Sequence, residues 1–380
     1  MMSNIKNVLW YTLLISLLAI GIYSAFMQVT QGHIITGISK QVPWGVYIAA
    51  FTFFIGISTG STLIGFIIYV FKRDDLKSLE LRAVMLGLVT LIGALLCLIS
   101  DVGNPLRMLK VPLFLRNTSS VFFFTSLSYY TFGTLLLLQL ISIVKLKSDP
   151  ENEKFKKILR WLSIIAFPVA MGIVLVPDGA LFSFVKAREF WNRPLLLPHF
   201  ANAGLVSAMG VLIIFAFISE KIENRRLLND ASKSLMGYLL VFLVAGVLFL
   251  DLFDILVLNY SEKPEGMEAW KLLTGRHLFL FALNILGLFL AFLILLTKKG
   301  RTFPNMTIPA ILIVFAISAY RYNLIIVGQE VPLFAGEQVL SYSASFTEIS
   351  VCSGITALVL LVYRLVIKRI ENGKFSLSEA

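Results

Sequence analysis

The chain has 380 residues, of which 58% are hydrophobic and only 14% are charged, whereas about 25% of the residues in soluble proteins are charged. A mean hydropathy of +0.85 excludes an ordinary soluble domain and predicts an all-α polytopic membrane protein, since lipid offers no partner to free backbone groups. The net charge of +11 is expected from loop cations that set the topology and meet anionic lipid, and we expect no nucleic-acid partner.

Ten apolar stretches of roughly the length that crosses a bilayer follow one another along the chain. They lie near residues 8–30, 44–71, 83–103, 118–144, 158–181, 197–219, 235–259, 273–297, 304–327 and 344–367. We expect one integral membrane domain over residues 1–380. Helices 2–5 (about 44–181) would form a first four-helix bundle, helices 6–9 (about 197–327) a second one, and helices 1 and 10 would flank them.

The connections between the stretches alternate in charge. Most Lys and Arg residues fall in one set of connections, for example in segments 145–160 and 221–233. The positive-inside rule places that set and both termini in the cytoplasm of a bacterium, with the helices in its inner membrane. The opposite connections are rich in Pro, Trp and Phe, and they are either interfacial anchors or the seat of a partner protein.

The small number of cysteines limits the redox centres that the chain can hold. Cys97 and Cys352 are its two cysteines, and both lie inside apolar stretches. Neither a CxxCH haem attachment nor a CxxC metal motif is possible. Any redox centre must therefore be bound non-covalently or belong to a partner, and three superficial histidines are a weak match to the facing pair that a haem b needs. We expect no metal site and no iron–sulfur cluster in this chain.

The segment from Leu88 to Arg107 carries the clearest candidate site. It is an apolar helix that runs into Asp101, then into the breaker residues Val102 to Pro105, then into Arg107. An ionisable group near the end of a lipid-spanning helix is costly and points to function. The alternative is an interfacial carboxylate that caps the loop or pairs with Arg107.

Further ionisable groups fall at or near the outer ends of their helices: Asp251, Asp254, Arg321, Glu348, His33, His199 and His277. The i, i+3 spacing puts Asp251 and Asp254 on one face of helix 7. These two acids are either a structural pair, neutralised by Arg321 or by a shared proton, or a proton-carrying site. Arg321 and Glu348 are either a structural pair or part of a relay. Each histidine is either an interfacial side chain or a ligand.

Several motifs resemble those of the NrfD/PsrC (polysulfide reductase membrane subunit) family. The sequence from Gln28 to Ala49, with its QVPWGVYIA run, resembles the start of the first bundle in that family, and DVGNPLR at 101–107 resembles its D-L-G-R-P-x-R. The FWNRPL run at 190–195 resembles FWNxPxL, while the YRYN run at 320–323, Tyr342 and Glu348 resemble the close of the ten-helix HybB/DsrP/QrcD-like branch. The resemblance covers nearly the whole chain.

The resemblance implies a haem-free, quinone-reactive anchor for an iron–sulfur (ferredoxin-like) subunit on the periplasmic side. That subunit often accompanies a molybdopterin or other catalytic subunit. The quinone or menaquinone pocket would lie in the first bundle near the outer face. Asp101 matches its acid, and Trp44, Tyr47, Arg107 and His199 are further candidates to bind the quinone. Two departures affect the quinone headgroup contacts, because Asn104 and His199 stand where the family commonly has Arg.

The expected function is therefore that of a quinone-reactive subunit that exchanges electrons between the quinone pool and an iron–sulfur partner. Asp101 would exchange protons with the quinone, and a proton path is expected at Asp251, Asp254, Arg321 and Glu348. A ten-helix secondary transporter or ion channel is one alternative. Its two halves often carry matched helix breaks, but the in-span prolines Pro168 and Pro309 do not form a matched pair. A purely structural membrane anchor is the other alternative.

Overall fold

The computed structural model describes residues 2–103, 121–223, 226–260, 263–332 and 340–371, and within these ranges its regular structure is helical, with no strand. The α-helices, in chain order, are α1 (Met2–Gln31), α2 (Val46–Gly60), α3 (Thr62–Val70), α4 (Lys77–Asp101), α5 (Val121–Ser148), α6 (Glu153–Pro168), α7 (Val176–Ser183), α8 (Leu196–Glu223), α9 (Asp230–Tyr260), α10 (Pro264–Thr274), α11 (Leu278–Leu296), α12 (Thr307–Glu330) and α13 (Phe346–Glu371).

Ten segments in the described ranges are long and apolar enough to cross a bilayer, which confirms the all-α, ten-span prediction. Two of these spans contain more than one α-helix. In one, α2 continues into α3 through Ser61. In the other, α6 passes through a π-helical segment, Val169–Leu175, into α7. Pro168 accounts for this change, because proline lacks an N–H and its ring crowds the preceding helical turn.

The third span begins earlier than the sequence predicted. Its helix α4 starts at Lys77, six residues before the predicted start, and it carries Glu80 and Arg82 inside the protein. Arg82 Nη1 lies 2.8 Å from a carboxylate oxygen of Glu371 near the end of α13. This buried ion pair stabilises charges that the hydropathy pattern assigned to a loop.

The helices pack in two rings that share an interface. In the first ring, α4 lies between α2 and α5, and α6 closes the ring against α5 and α3. In the second, α8, α9, α11 and α12 pack each against the next, and α12 returns to α8. Helix α2 contacts both α8 and α12, so it joins the two rings. Helices α1 and α13 pack together, and α13 lies against α4.

Glycines allow the closest approach between the rings. A Cβ atom on Gly60 would lie 2.3 Å from the Gly204 carbonyl oxygen, and one on Gly56 would lie 3.3 Å from the Gly204 Cα. Gly56 and Gly60 therefore bring α2 into backbone contact with α8, in the way that small-xxx-small patterns do in membranes.

A second close contact involves Trp191, in the segment before α8. The indole Nε1 of Trp191 donates a 2.7 Å hydrogen bond to the Leu324 carbonyl of α12. A Cβ on Gly328, one turn further along α12, would lie 2.0 Å from that same nitrogen. The absence of a side chain at Gly328 is thus what lets the buried Trp191 ring reach the α12 backbone.

The variant Gly328→Ala is expected to displace Trp191 and to lower the free energy of unfolding by about 1–3 kcal/mol, the usual cost of overpacking. The measurement is the apparent melting temperature of the purified protein in detergent. Gly172→Ala is the matched control, because a Cβ at Gly172 would meet no atom within 4 Å. Equal melting temperatures for Gly328→Ala and the wild type would contradict the prediction.

Candidate functional site

Most of the buried charged residues and histidines lie toward one end of the molecule, which we call the Asp101 end. There α4 ends at Asp101, α12 ends at Glu330 and α13 begins at Phe346. Hydrogen bonds across this end connect segments that are distant in sequence. The Gly37 amide, for example, donates to Glu348 Oε2 at 2.7 Å. The structure therefore gathers these residues at a common level of the bundle.

Asp101 is the last residue of α4 and is half-buried. Its Oδ1 atom is buried and accepts no hydrogen bond from any residue that the structure describes. The preceding carbonyl, that of Ser100, accepts a 2.7 Å hydrogen bond from Gln28 Nε2. Gln28 Oε1 in turn accepts a 2.5 Å hydrogen bond from the Tyr47 hydroxyl. Two hydrogen bonds thus connect Tyr47, through Gln28, to the backbone next to Asp101.

His33 also approaches the end of α4. It lies in a 3₁₀ turn, Gly32–Ile35, that follows α1, and a Cβ on Gly103 would be 3.7 Å from its Cδ2 atom. The Nδ1 atom of His33 is buried and has no partner among the described residues. Since buried polar atoms are nearly always hydrogen-bonded, the unpaired atoms of His33 and Asp101 suit a polar ligand. Sequence reasoning named His33 but did not assign it to this site.

Trp44 belongs to a different cluster from Tyr47. Its ring packs against Phe182 and Trp191, with centroids 5.6 and 5.5 Å away. Its backbone N–H donates to Gln329 Oε1 at 2.9 Å, and its carbonyl accepts from Gln329 Nε2 at 2.7 Å. These contacts attach the start of the second span to the end of α12. Arg107, the other cation predicted for the pocket, and Asn104 lie outside the described residues.

Glu348 is fully buried and has several hydrogen-bond partners. It accepts from the Tyr342 hydroxyl at 2.6 Å, and it exchanges hydrogen bonds with Ser345 in a capping box at the start of α13. Burial and the hydrogen bond to Glu348 raise the pKa of Tyr342, so its hydroxyl stays protonated. The same hydroxyl accepts a 2.9 Å hydrogen bond from the Val46 amide at the start of α2. Glu348 thus fixes the loop around Gly37 and the start of α2.

A second polar cluster lies inside the second ring of helices. His199 Nε2 and Asp251 Oδ1 are 2.8 Å apart, and both side chains are buried. Asn284 donates to the other oxygen of Asp251 at 3.3 Å. The Tyr320 ring stacks on the His199 ring with a centroid distance of 4.0 Å. His199 therefore faces Asp251 in this cluster, and it does not join Asp101 as the resemblance suggested.

The partner of Asp254 differs from the one predicted. Arg193 Nη1 lies 3.2 Å from Asp254 Oδ2, and the two side chains are each 9% exposed. Arg193 also lies over the Phe190 ring at 4.6 Å from its centroid. The interpretation in which Arg321 neutralises the two aspartates is therefore wrong. Each acid has its own basic partner, because the segment before α8 and the start of α8 place Arg193 and His199 against α9.

Arg321 occupies a third position, between the two rings. Its guanidinium lies 3.7 Å from the Phe200 ring centroid and donates to the Phe200 carbonyl at 3.3 Å. Asp178 of α7 is another fully buried acid, and the Tyr129 hydroxyl donates a short hydrogen bond to it. The expected pairing of Arg321 with Glu348 is not observed. Asp178 was missed in the sequence, although a single acid in an apolar stretch is itself a signal.

Two arrangements with distinct chemistry thus follow from the geometry. Asp101, His33 and Tyr47 can offer hydrogen bonds and a proton to a ligand at the end of α4. The His199–Asp251 pair can hold a proton inside the second ring. Within the described ranges, no three His, Cys, Asp or Glu side chains are grouped as metal ligands.

Comparisons with known proteins cover most of the chain. A family model described as "Polysulphide reductase, NrfD" matches residues 35–332. One relative, a selenate reductase subunit from Mesobacillus selenatarsenatis, is 23% identical, over 95% of this chain and 93% of that protein. The Hdr-like menaquinol oxidoreductase integral membrane subunit of Archaeoglobus fulgidus is 25% identical, over 92% and 90%. The integral membrane subunit of menaquinone reductase from Nitratidesulfovibrio vulgaris is 21% identical, over 90% and 86%.

Proposed function

This chain belongs to the NrfD family of membrane subunits, and we propose that it exchanges electrons between the menaquinone pool and an iron–sulfur subunit of an oxidoreductase complex. Two relatives that match along nearly their whole length are named for menaquinol or menaquinone, which supports the choice of quinone. A third is named as a subunit of a selenate reductase. This supports a complex with a catalytic partner.

The observation that carries the proposal is the unpaired, buried Oδ1 of Asp101 beside the Tyr47–Gln28 network. Quinone chemistry couples two electrons to two protons, so it needs a titratable group within hydrogen-bond reach of the quinone oxygens. Asp101 is that group in this proposal, and His33 Nδ1 is placed at the same helix end to meet a quinone oxygen. Tyr47 orients the site through Gln28.

The iron–sulfur subunit would dock at the Asp101 end, next to the site where the quinone reacts. With two cysteines in 380 residues, the chain cannot supply the four thiolates of an ordinary cluster. The electrons must therefore leave to a carrier in another subunit. By the positive-inside rule, this end faces the periplasm of a bacterial inner membrane, and both termini are cytoplasmic.

We place proton translocation, if quinone turnover drives it, in the second ring of helices. Asp251 and Asp254 remain candidates because both are buried beside groups that can exchange or stabilise charge. Arg321 and Glu348 are assigned structural roles instead, since each is engaged with other partners. Of the four residues proposed from the sequence, the path keeps the two aspartates, and His199 is added to it.

The test of the proposed function is purification of the chain through an affinity tag from its own membranes in mild detergent. We expect a co-purifying iron–sulfur subunit, seen by electron paramagnetic resonance after reduction, and bound menaquinone, seen by mass spectrometry of the lipid extract. An unrelated tagged membrane protein from the same cells is the control. A chain that purifies alone and without quinone would favour a transporter. A partner without quinone would favour a purely structural anchor.

A further inference from the structure

A small cavity lies beside the second polar cluster, between α9, α11 and α12. It has a volume of about 40 Å³, which is room for about three water molecules and too little for a quinone headgroup. Six of the residues that line it have polar or charged side chains: Arg193, Asp251, Asp254, Asn284, Tyr320 and Asn323. The other seven lining residues are apolar, so water in the cavity is expected at these six polar groups.

Unpaired polar atoms around the cavity support this expectation. Arg193 Nε, Asn284 Oδ1, Asn323 Oδ1 and the Tyr320 hydroxyl are buried and have no hydrogen-bond partner among the described residues. Asn284 and Asn323 are each less than 5% exposed. Since an unsatisfied buried polar group costs about 1–3 kcal/mol, bridging waters are the simplest way to satisfy four of them at once.

Two of the helices beside the cavity, α11 and α12, each carry a second polar group nearer to the Asp101 end. His277 precedes Asn284 by seven residues at the start of α11, and Glu330 follows Asn323 by seven residues on α12. A separation of seven residues puts two side chains on one helix face, about 10 Å apart along the axis. The two facing helices therefore present polar groups at two matching levels.

The level nearer to the Asp101 end is a hydrogen-bonded pair, His277 and Glu330, that lies next to the protein surface. His277 Nε2 and Glu330 Oε2 are 2.7 Å apart, and Glu330 is fully buried. Arg276 Nη1 lies 3.6 Å from the other oxygen of Glu330, and the Arg276 side chain is 44% exposed. Leu273 and Phe281 line the cavity on the side of this pair. They form the apolar segment between the two levels.

We propose that these residues form a proton route that connects the buried His199–Asp251 pair, through water at Asn284 and Asn323 and across the apolar segment of Leu273 and Phe281, to the His277–Glu330 pair and the surface at the Asp101 end. The proposal rests on the proposed function, because quinone turnover would supply the free energy that moves the proton. The charged or titratable groups that face the inner pair are Arg193, Asp254 and Tyr320, and Arg321 lies over the Phe200 ring. Those that face Glu330 are His277 and Arg276, with Tyr322 beside His277.

The transfer involves protons alone and leaves every residue as it began. Asp251 accepts a proton that arrives from the cytoplasmic side of the second ring and shares it with His199. Water in the cavity carries the proton past Asn284 and Asn323, and Glu330 receives it as His277 releases another to the surface. An acid is hydrogen-bonded to an imidazole at both ends of the route, and each of these hydrogen bonds gives the proton a direct path between two side chains.

The test uses the tagged complex, first in detergent and then in liposomes with an external pH dye. Asn284→Leu removes the polar lining of the cavity at similar volume, and Glu330→Gln removes the outer carboxylate. For both variants we expect wild-type quinol oxidation in detergent. In liposomes we expect proton release to fall to the amount that quinol chemistry alone supplies. Glu268→Gln is the matched control, because Glu268 is an exposed acid at the same end and pairs with Lys271.

Infrared spectroscopy of the purified chain provides a readout that does not depend on quinone. A carboxyl band that disappears in Asp251→Asn is expected to titrate with pH, and to exchange with D₂O more slowly in Asn284→Leu and Glu330→Gln than in the wild type. If the complex shows no quinol reaction, the proposed function fails, and this exchange experiment still decides on the route. The route is overturned if the band is missing or exchanges equally fast in all variants. It is also overturned if the proton yield of the variants equals that of the wild type.

Discussion

Asp101→Asn is expected to slow quinone-coupled electron transfer by about 10²–10⁴-fold, the usual contribution of a positioned acid or base. Asparagine keeps the size of the side chain and can still hydrogen-bond, but it cannot take up or release a proton. The complex should assemble normally, because the unpaired Oδ1 of Asp101 supports no contact among the described residues. The measurement is the rate of quinol oxidation by the purified complex in detergent with a soluble electron acceptor.

Two further variants separate the chemical role of Asp101 from a structural one. Asp149→Asn is the control, because Asp149 is an exposed acid at the opposite end of the bundle, and its rate should equal that of the wild type. Tyr47→Phe removes the hydrogen bond to Gln28 and should slow the reaction less than Asp101→Asn does. An assembled Asp101→Asn complex that turns over at the wild-type rate would refute the role given to this residue.

The sequence predicted the spans and the depth of their polar residues because both are local properties. A sufficiently long run of apolar residues indicates a membrane span wherever it occurs. The position of a residue along that helix then determines its depth in the membrane. Asp101 and Glu348 could therefore be assigned to the same end before any contact between helices was known. The start of α4 was mispredicted, because the charges of Glu80 and Arg82 resemble those of a loop until Glu371 is seen beside Arg82.

Which side chains meet could not be predicted, because it depends on the rotation of each helix about its axis and on its neighbours. Asp251 and Asp254 were correctly placed on one face of a helix, but their partners His199 and Arg193 come from the segment around the start of α8. The role of Glu348 was within reach of sequence reasoning. Ser345 and Glu348 have the spacing of a capping box just before an apolar helix, and that pattern alone indicates a structural carboxylate.

The ion pair of Arg193 with Asp254 leads to the largest expected effect on stability. Arg193→Met is expected to lower the free energy of unfolding by about 3–5 kcal/mol, because it leaves a carboxylate unpaired in a buried site. The Asp254 side chain is only 9% exposed, so bulk solvent stabilises the unpaired carboxylate poorly. The measurement is thermal unfolding in detergent with a thiol-reactive dye, which reports the exposure of the buried Cys97.

The two halves of this pair are not equivalent, and the difference separates charge compensation from simple loss of packing. Asp254→Asn leaves Arg193 over the Phe190 ring, where a cation–π contact still stabilises it, so this variant should be less destabilised than Arg193→Met. Arg193→Met combined with Asp254→Asn removes both charges and should recover most of the lost stability. Lys271→Met breaks the exposed pair with Glu268 and should change little, since exposed pairs contribute little. If the double variant unfolds at the temperature of Arg193→Met, the destabilisation comes from lost packing of the arginine side chain, and the buried charge of Asp254 is not its cause.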